Sequence, residues 1–220
     1  MPPVRALAVR SLVAFLRPFA RVLLNVRCGL RVHGAARVPR SGGVIFAANH
    51  VSFLDPVVLD MACPRRVVFL ARQALFDVRW LGLVMRGMGT LQIDRHRAET
   101  GLRRAVRLLK QGKAVVIFPE GARQLEGPGK AKRGVGFLAG CAQVPVIPVL
   151  LSGTQNALPP GGKWLKPAKI EIAFGPEIRY PSTRLSSDIC EQLAQQVTTG
   201  WQQLRDSLST QQHDSHGIES

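Results

Sequence analysis

The segment Asn49-His50-Val51-Ser52-Phe53-Leu54-Asp55-Pro56 places an imidazole and a carboxylate five positions apart, directly after the apolar run 44–48. A carboxylate behind an imidazole makes a general base, because it fixes one tautomer and stabilises the imidazolium formed on proton uptake. Five residues on a helix amount to about 140° of rotation, so a regular helix keeps the two groups apart and a loop is needed to bring them together. The arrangement is that of a hydrolase triad without its serine, so the nucleophile is expected to be a hydroxyl of the substrate. Asp55 in front of Pro56 also reads as the N-cap of a helix, where the dipole favours the ionised carboxylate. Taken alone, the pair reads more readily as a structural loop histidine and a capping aspartate than as a base.

Two further polar clusters follow apolar runs. Gly89-Thr90-Leu91-Gln92-Ile93-Asp94-Arg95 ends on an Asp-Arg pair, and the run 114–118 leads into Pro119-Glu120-Gly121-Ala122-Arg123. Arg95 and Arg123 are candidates for bidentate phosphate recognition, and a glycine at 121 permits close approach of a ligand. Lys130, Lys132, Arg133 and Gly134 form a glycine-containing basic stretch that could complete a phosphate pocket.

These clusters need a scaffold that brings them to one place. Short apolar runs at 44–48, 66–71, 90–93, 114–118, 146–150 and 170–174 read as strands. Between them, Leu102, Ala105, Val106 and Leu109 keep helical spacing, with Arg103, Arg104, Arg107 and Lys110 on the outer positions. Alternating strands and helices predict an α/β fold, a central, mostly parallel sheet flanked by helices, whose site lies at the carboxyl ends of the strands. Ile189, Leu193, Val197, Trp201, Leu204 and Leu208 mark a long closing helix that starts near Ser186, Ser187, Asp188 and Glu191. Residues 4–28 read as two short amphipathic helices broken near Pro18, with Arg10, Arg17 and Arg21 within about 40° of one another. Such a basic, apolar segment is expected to lie in a membrane interface with its Arg side chains on lipid phosphates. The organisation expected is a membrane-associating helical segment over 1–30, a single domain over 31–208 and a disordered tail over 209–220.

Composition narrows the partners. Lys plus Arg number 30 against 14 Asp plus Glu, a net charge of +16. That excess favours a polyanionic partner, of which an anionic membrane surface and phosphorylated substrates fit best. Nucleic acid is not expected, since no helix-turn-helix, RNA-recognition or zinc-finger pattern is present and the aromatics form no stacking platform. Cys28, Cys63, Cys141 and Cys190 are widely spaced, which suggests neither a metal cluster nor disulfides. The absence of a long uncharged apolar stretch argues against a transmembrane helix. The basic N-terminal segment, interrupted by Arg at short intervals, lacks the h-region of a signal peptide.

In combination the motifs resemble the glycerolipid acyltransferases typified by 1-acyl-glycerol-3-phosphate acyltransferase. Four blocks match in order: Asn49-His50 with Asp55, Gly89 through Arg95, Phe118-Pro119-Glu120-Gly121 with Arg123, and Val144-Pro145-Val146-Ile147-Pro148-Val149. The resemblance implies that His50 is the general base, oriented by Asp55. It implies that Arg95, Glu120, Gly121 and Arg123 bind the acceptor's glycerol phosphate, and that the block with Pro148 binds the acyl donor or shapes the site. It further implies transfer from acyl-CoA or acyl-carrier protein to the free hydroxyl of a lysophospholipid, 1-acyl-glycerol-3-phosphate, giving phosphatidic acid, without metal, cofactor or acyl-enzyme. The basic N-terminal segment and the lipidic acceptor lead to an expected peripheral location at the cytoplasmic membrane face. Ala122 and Gln124 stand where the family usually has Thr and Ser, and Gln92 where it usually has Phe. These differences lie on the acceptor side, so another lyso-lipid, such as lyso-ornithine lipid, is an alternative acceptor. A non-catalytic membrane-binding protein is the alternative from a different class; it explains the charge but not the pairing of His50 with Asp55.

Overall fold

A computed structural model describes residues 3–72, 82, 85, 87, 89–93, 98–124, 127–162 and 164–216. Helix α1 (Pro3–Cys28) leads into strands β1 (Arg31–His33) and β2 (Val44–Ala48), helix α2 (Asp55–Ala62), and strands β3 (Val67–Arg72) and β4 (Leu91–Ile93). Then come helix α3 (Ala98–Lys110), β5 (Ala114–Ile117), α4 (Gly134–Ala142), β6 (Val146–Ser152), the single turn α5 (Thr154–Ala157), β7 (Glu171–Phe174) and the long α6 (Ser187–His216). The strands form one seven-stranded sheet in the order β1-β7-β6-β2-β5-β3-β4. β2 lies between β5 and β6 and runs parallel to both, β5 runs parallel to β3, and β3 to β4. β7 is antiparallel to β6 and carries β1 beside it in parallel.

The central strands are buried on both faces, which is why they read as continuous apolar runs rather than as alternation. Ile45, Ala47, Val115, Ile117, Val146 and Leu150 point to a core roofed by α3, α4 and α6. Phe46, Ala48, Val116, Ile147, Val149 and Phe174 point to a second core under α1 and α2. Trp201 of α6 is fully buried in the first core, and its indole N–H donates to the Ala47 carbonyl at 2.9 Å. Pro148 sits mid-strand in β6, opposite Ala47. A Cβ at Gly200 of α6 would come within 2.9 Å of its ring, so a side chain there is excluded and helix and strand pack at backbone distance.

Four features differ from the sequence expectation. β1 was not anticipated, because three residues at a sheet edge are too few to show a period. α1 is one continuous helix that carries Pro18 inside it rather than two helices broken there. Packing of its Leu24 and Cys28 on the second core and of Arg17 on α2 outweighs the one lost backbone bond. α6 runs to His216, past the boundary at 208 that its apolar spacing suggested, because hydrogen-bonded turns continue after the buried face ends. Asp55 is the first residue of α2 and Leu54 its N-cap; the Asp55 side chain turns back toward the preceding loop instead of capping.

Arg17 does not take the outward orientation expected of it. Arg17 Nε lies 3.5 Å from Asp60 Oδ2 in α2, and its guanidinium also donates to the Asp60 carbonyl. Arg17, Leu24 and Cys28 fall on one side of the helix and face the protein. Leu12, Phe15, Leu16, Phe19, Val22, Leu23 and Val26 occupy an opposite sector of about 120° and are exposed. Burial pushes the Asp60 carboxyl above its ordinary range, against the opposing pull of Arg17 and Arg66. A carboxyl raised on folding contributes stability that is full below the ordinary aspartate range and lost as the pH rises through the raised value. Arg17 limits that loss. Arg17→Ala is therefore expected to destabilise the fold little in acid and most near neutral pH, measured by urea unfolding at a series of pH values.

Candidate active site

Because β2, β5 and β6 are parallel and in register, with Ala47 opposite Ile117 and Pro148, their carboxyl ends deliver His50, Glu120 and Thr154 to one edge of the sheet. Asn49 extends the β2–β6 ladder by one side-chain rung: its amide accepts from Leu151 N–H at 2.7 Å and donates to the Leu151 carbonyl at 3.0 Å. The next residue, His50, thus leaves a fixed base.

The loop after His50 does bring Asp55 back. His50 Nδ1 lies 2.8 Å from Asp55 Oδ2. The same oxygen accepts the backbone N–H of Val51 at 2.7 Å and of Ser52 at 2.8 Å. The other oxygen accepts the Thr154 hydroxyl at 2.5 Å, in the range of charge-assisted O–H···O bonds. Asp55 and Thr154 are both fully buried. A carboxylate already holding three other donors acts on His50 as an acceptor, so Nδ1 carries the proton and Nε2 is left with its lone pair. This is the geometry a general base requires.

The turn after β5 grips His50 from both sides of its backbone. His50 N–H donates to Glu120 Oε2 at 2.8 Å, and the His50 carbonyl accepts Gln124 N–H at 2.7 Å. The imidazole lies against Phe118, with ring centroids 4.4 Å apart. Glu120 is 3% exposed, and its second oxygen accepts Gly129 N–H at 2.7 Å. Burial raises its carboxyl above the ordinary range, against the pull of the two N–H donors and His50. Gly121, at φ 77°, supplies the left-handed turn that returns the chain over the strand end.

Arg123 is half-buried, with its guanidinium carbon 3.7 Å from the centre of the Phe53 ring. Stacking on Phe53 parks the cation beside the His50 loop, and its planar N–H fork has no acceptor among the described residues. The structure thus unites His50, Asp55, Glu120, Gly121 and Arg123. β4 ends at Ile93 on the same edge of the sheet, while Asp94 and Arg95 lie outside the described residues. Lys130, Lys132 and Arg133 are exposed. Pro148 lies within the packed strand rather than at its end.

Thr154 is the site residue that the sequence reading missed. Its signal was the one that drew attention to the other clusters: Ser152-Gly153-Thr154 is a polar group closing a buried strand. The role of its hydroxyl was not legible, since the residue it serves is 99 positions away.

The acyltransferase family model matches residues 29–152 of the chain. The 1-acyl-sn-glycerol-3-phosphate acyltransferase of Bacillus subtilis is 26% identical over 157 residues, covering 70% of this chain and 76% of that one. The human 1-acyl-sn-glycerol-3-phosphate acyltransferase alpha is 34% identical over 144 residues, which is 61% of this chain and 51% of the human one. For the chloroplastic enzyme LPAT1 of Arabidopsis thaliana the identity is 31% over 139 residues, and the match spans 39% of that longer protein. The crystal structure of the 1-acyl-sn-glycerophosphate acyltransferase of Thermotoga maritima shares the fold, with a TM-score of 0.71, 24% identity and coverage of 93% of this chain and 84% of that one. The family match takes in more than half of the chain and contains His50, Asp55, Glu120, Gly121 and Arg123, so this chain belongs to the acyltransferase family.

Proposed function

We propose that this protein transfers a fatty acyl group from a thioester, acyl-CoA or acyl-carrier protein, to the free hydroxyl of 1-acyl-glycerol-3-phosphate, giving phosphatidic acid. The observation that carries the reading is the Asp55 carboxylate, whose four hydrogen bonds leave His50 with Nε2 as the free base at the sheet edge. The names of the relatives supply the acceptor class.

In this mechanism His50 Nε2 takes the hydroxyl proton as the acceptor oxygen bonds to the thioester carbonyl carbon. The tetrahedral intermediate collapses with cleavage of the C–S bond, and the imidazolium returns the proton to the departing sulfur. Atoms and charge balance without a further reactant. Asp55 stabilises the imidazolium between the two proton transfers. Arg123, held on Phe53, meets the acceptor phosphate with its planar N–H fork. Glu120 acts through His50, as a positioning residue, since both its oxygens hold backbone N–H groups. Arg95 is proposed to join Arg123 on the acceptor side, as the resemblance implies.

The exposed apolar stripe of α1 is the part of this reading that concerns location. No described helix is long and apolar enough to cross a membrane. Phe15 and Phe19 are 67% and 62% exposed on a stripe with Arg17 turned inward, which suits a helix lying in the interface with its apolar face in lipid. That stripe and a lipidic acceptor support peripheral attachment to a membrane, and the cytoplasmic face is proposed because acyl-CoA and acyl-carrier protein would be its donors there.

His50→Ala is expected to lower transfer to lysophosphatidic acid by about 10²–10⁴-fold with the fold retained, read from phosphatidic acid formed with labelled acyl donor. A variant with near wild-type rate would overturn the mechanism. Arg123→Ala should raise KM for the acceptor far more than it lowers kcat, as loss of a ground-state phosphate contact does. Thr154→Val keeps the volume but removes one hydrogen bond from Asp55. It should lower kcat about tenfold with little change in KM, and Thr154→Ser should restore it.

A further inference from the structure

The segment linking α5 to β7 reads Leu158-Pro159-Pro160-Gly161-Gly162-Lys163-Trp164-Leu165-Lys166-Pro167-Ala168-Lys169. At 84% exposed, Trp164 is the most exposed large hydrophobic side chain among the described residues, and Lys166 and Lys169 beside it are exposed too. The backbone around it is anchored. Lys166 N–H donates to the Ala157 carbonyl at 2.8 Å, and Leu165 and Ala168 pack on the second core. At the far end Ile170 N–H donates to the Cys28 carbonyl at 3.0 Å, and the Cys28 thiol approaches the Lys166 carbonyl at 3.7 Å. At its start Ser52 of the His50 loop donates to the Leu158 carbonyl at 3.2 Å.

The loop is therefore tied at Leu158 to the His50 loop and at Lys166 and Ile170 to α5 and the end of α1. It meets the last turn of α1 at buried Cys28, the turn whose other side ends the exposed stripe at Val26, 81% exposed. An exposed tryptophan flanked by lysines is the chemistry of a bilayer interface. The ring sits at headgroup level, and the ammonium groups reach lipid phosphates while their stems lie on the apolar surface.

We propose that the 158–169 loop is a second contact with an anionic lipid bilayer, Trp164 being its anchor and Lys166 and Lys169 its headgroup ligands. Together with the α1 stripe it holds the molecule at two separated points, which fixes its tilt and keeps the His50 edge against the lipid that delivers the acceptor. This rests on the reading of α1 as an interfacial helix given above.

The test is co-sedimentation of the full chain with vesicles of phosphatidylcholine alone or with phosphatidylglycerol added. Wild type is compared with Trp164→Ala, with Lys166→Ala/Lys169→Ala, and with Phe15→Glu/Phe19→Glu, each checked for an unchanged thermal unfolding midpoint. Trp164→Ala is expected to lower the partition coefficient about tenfold on both vesicles. The lysine pair should lower it about tenfold or more on the anionic vesicles and hardly at all on the neutral ones. Trp164→Ala that partitions like wild type, while Phe15→Glu/Phe19→Glu has lost binding, overturns the proposal and leaves the α1 reading standing. Wild type bound to neither vesicle overturns both. Trp164→Ala that keeps its partition but loses retention on immobilised acyl-carrier protein overturns the proposal in favour of a donor-protein dock.

Discussion

An ionised carboxylate sealed from solvent costs several kcal/mol unless its lone pairs are satisfied, and Asp55 is fully buried. Hydrogen bonds to a charged group contribute about 1.5–3 kcal/mol each, so the three to Val51, Ser52 and Thr154 offset that cost before His50 is counted. The consequence reaches outward in each direction. The two N–H donors dictate the shape of the loop between β2 and α2. The Thr154 hydroxyl ties that loop to the end of β6. What remains of the acceptor capacity is directed at His50 Nδ1, and the tautomer of the proposed base is settled by that geometry.

A loop that short would not stay in place on its own. The register of the parallel strands brings the turn after β5 alongside it, and that turn holds both the N–H and the carbonyl of His50. Fixing the backbone and the ring nitrogen together leaves the imidazole little freedom, which is what proton transfer from a defined hydroxyl oxygen demands. Glu120 is a second buried carboxyl, and it is satisfied in the same way, by two backbone N–H groups from separate segments. The site is thus built from two acidic side chains that organise backbone, with the His50 imidazole between them.

The same rule of satisfied charge explains the orientation of α1. Asp60, buried in α2, needs a cation, and Arg17 answers it from the neighbouring helix. Once Arg17, Leu24 and Cys28 face inward, helical geometry turns Phe15, Phe19, Val22 and Val26 outward. An exposed apolar stripe of seven large side chains is more than scattered surface hydrophobicity and implies something that covers it.

The amino-acid sequence by itself determined the α/β class, the buried strands and the family, because a two-face buried strand is written as an unbroken apolar run and the reactive residues follow those runs directly. It also named His50 and Asp55 as a pair. Tertiary structure alone decided the rest. Whether Asp55 caps a helix or reaches back to the loop depended on donors from Val51, Ser52 and Thr154, the last of them 99 residues away. That the two oxygens of Glu120 hold the backbone N–H groups of His50 and Gly129, from separate segments, is likewise set only by the tertiary structure. The direction in which α1 presents Arg17 followed from a partner, Asp60, that no local periodicity reveals. Spacing along the chain reports which residues share a strand or a helix face; which distant donor satisfies a buried charge is set only when the strands pair in register.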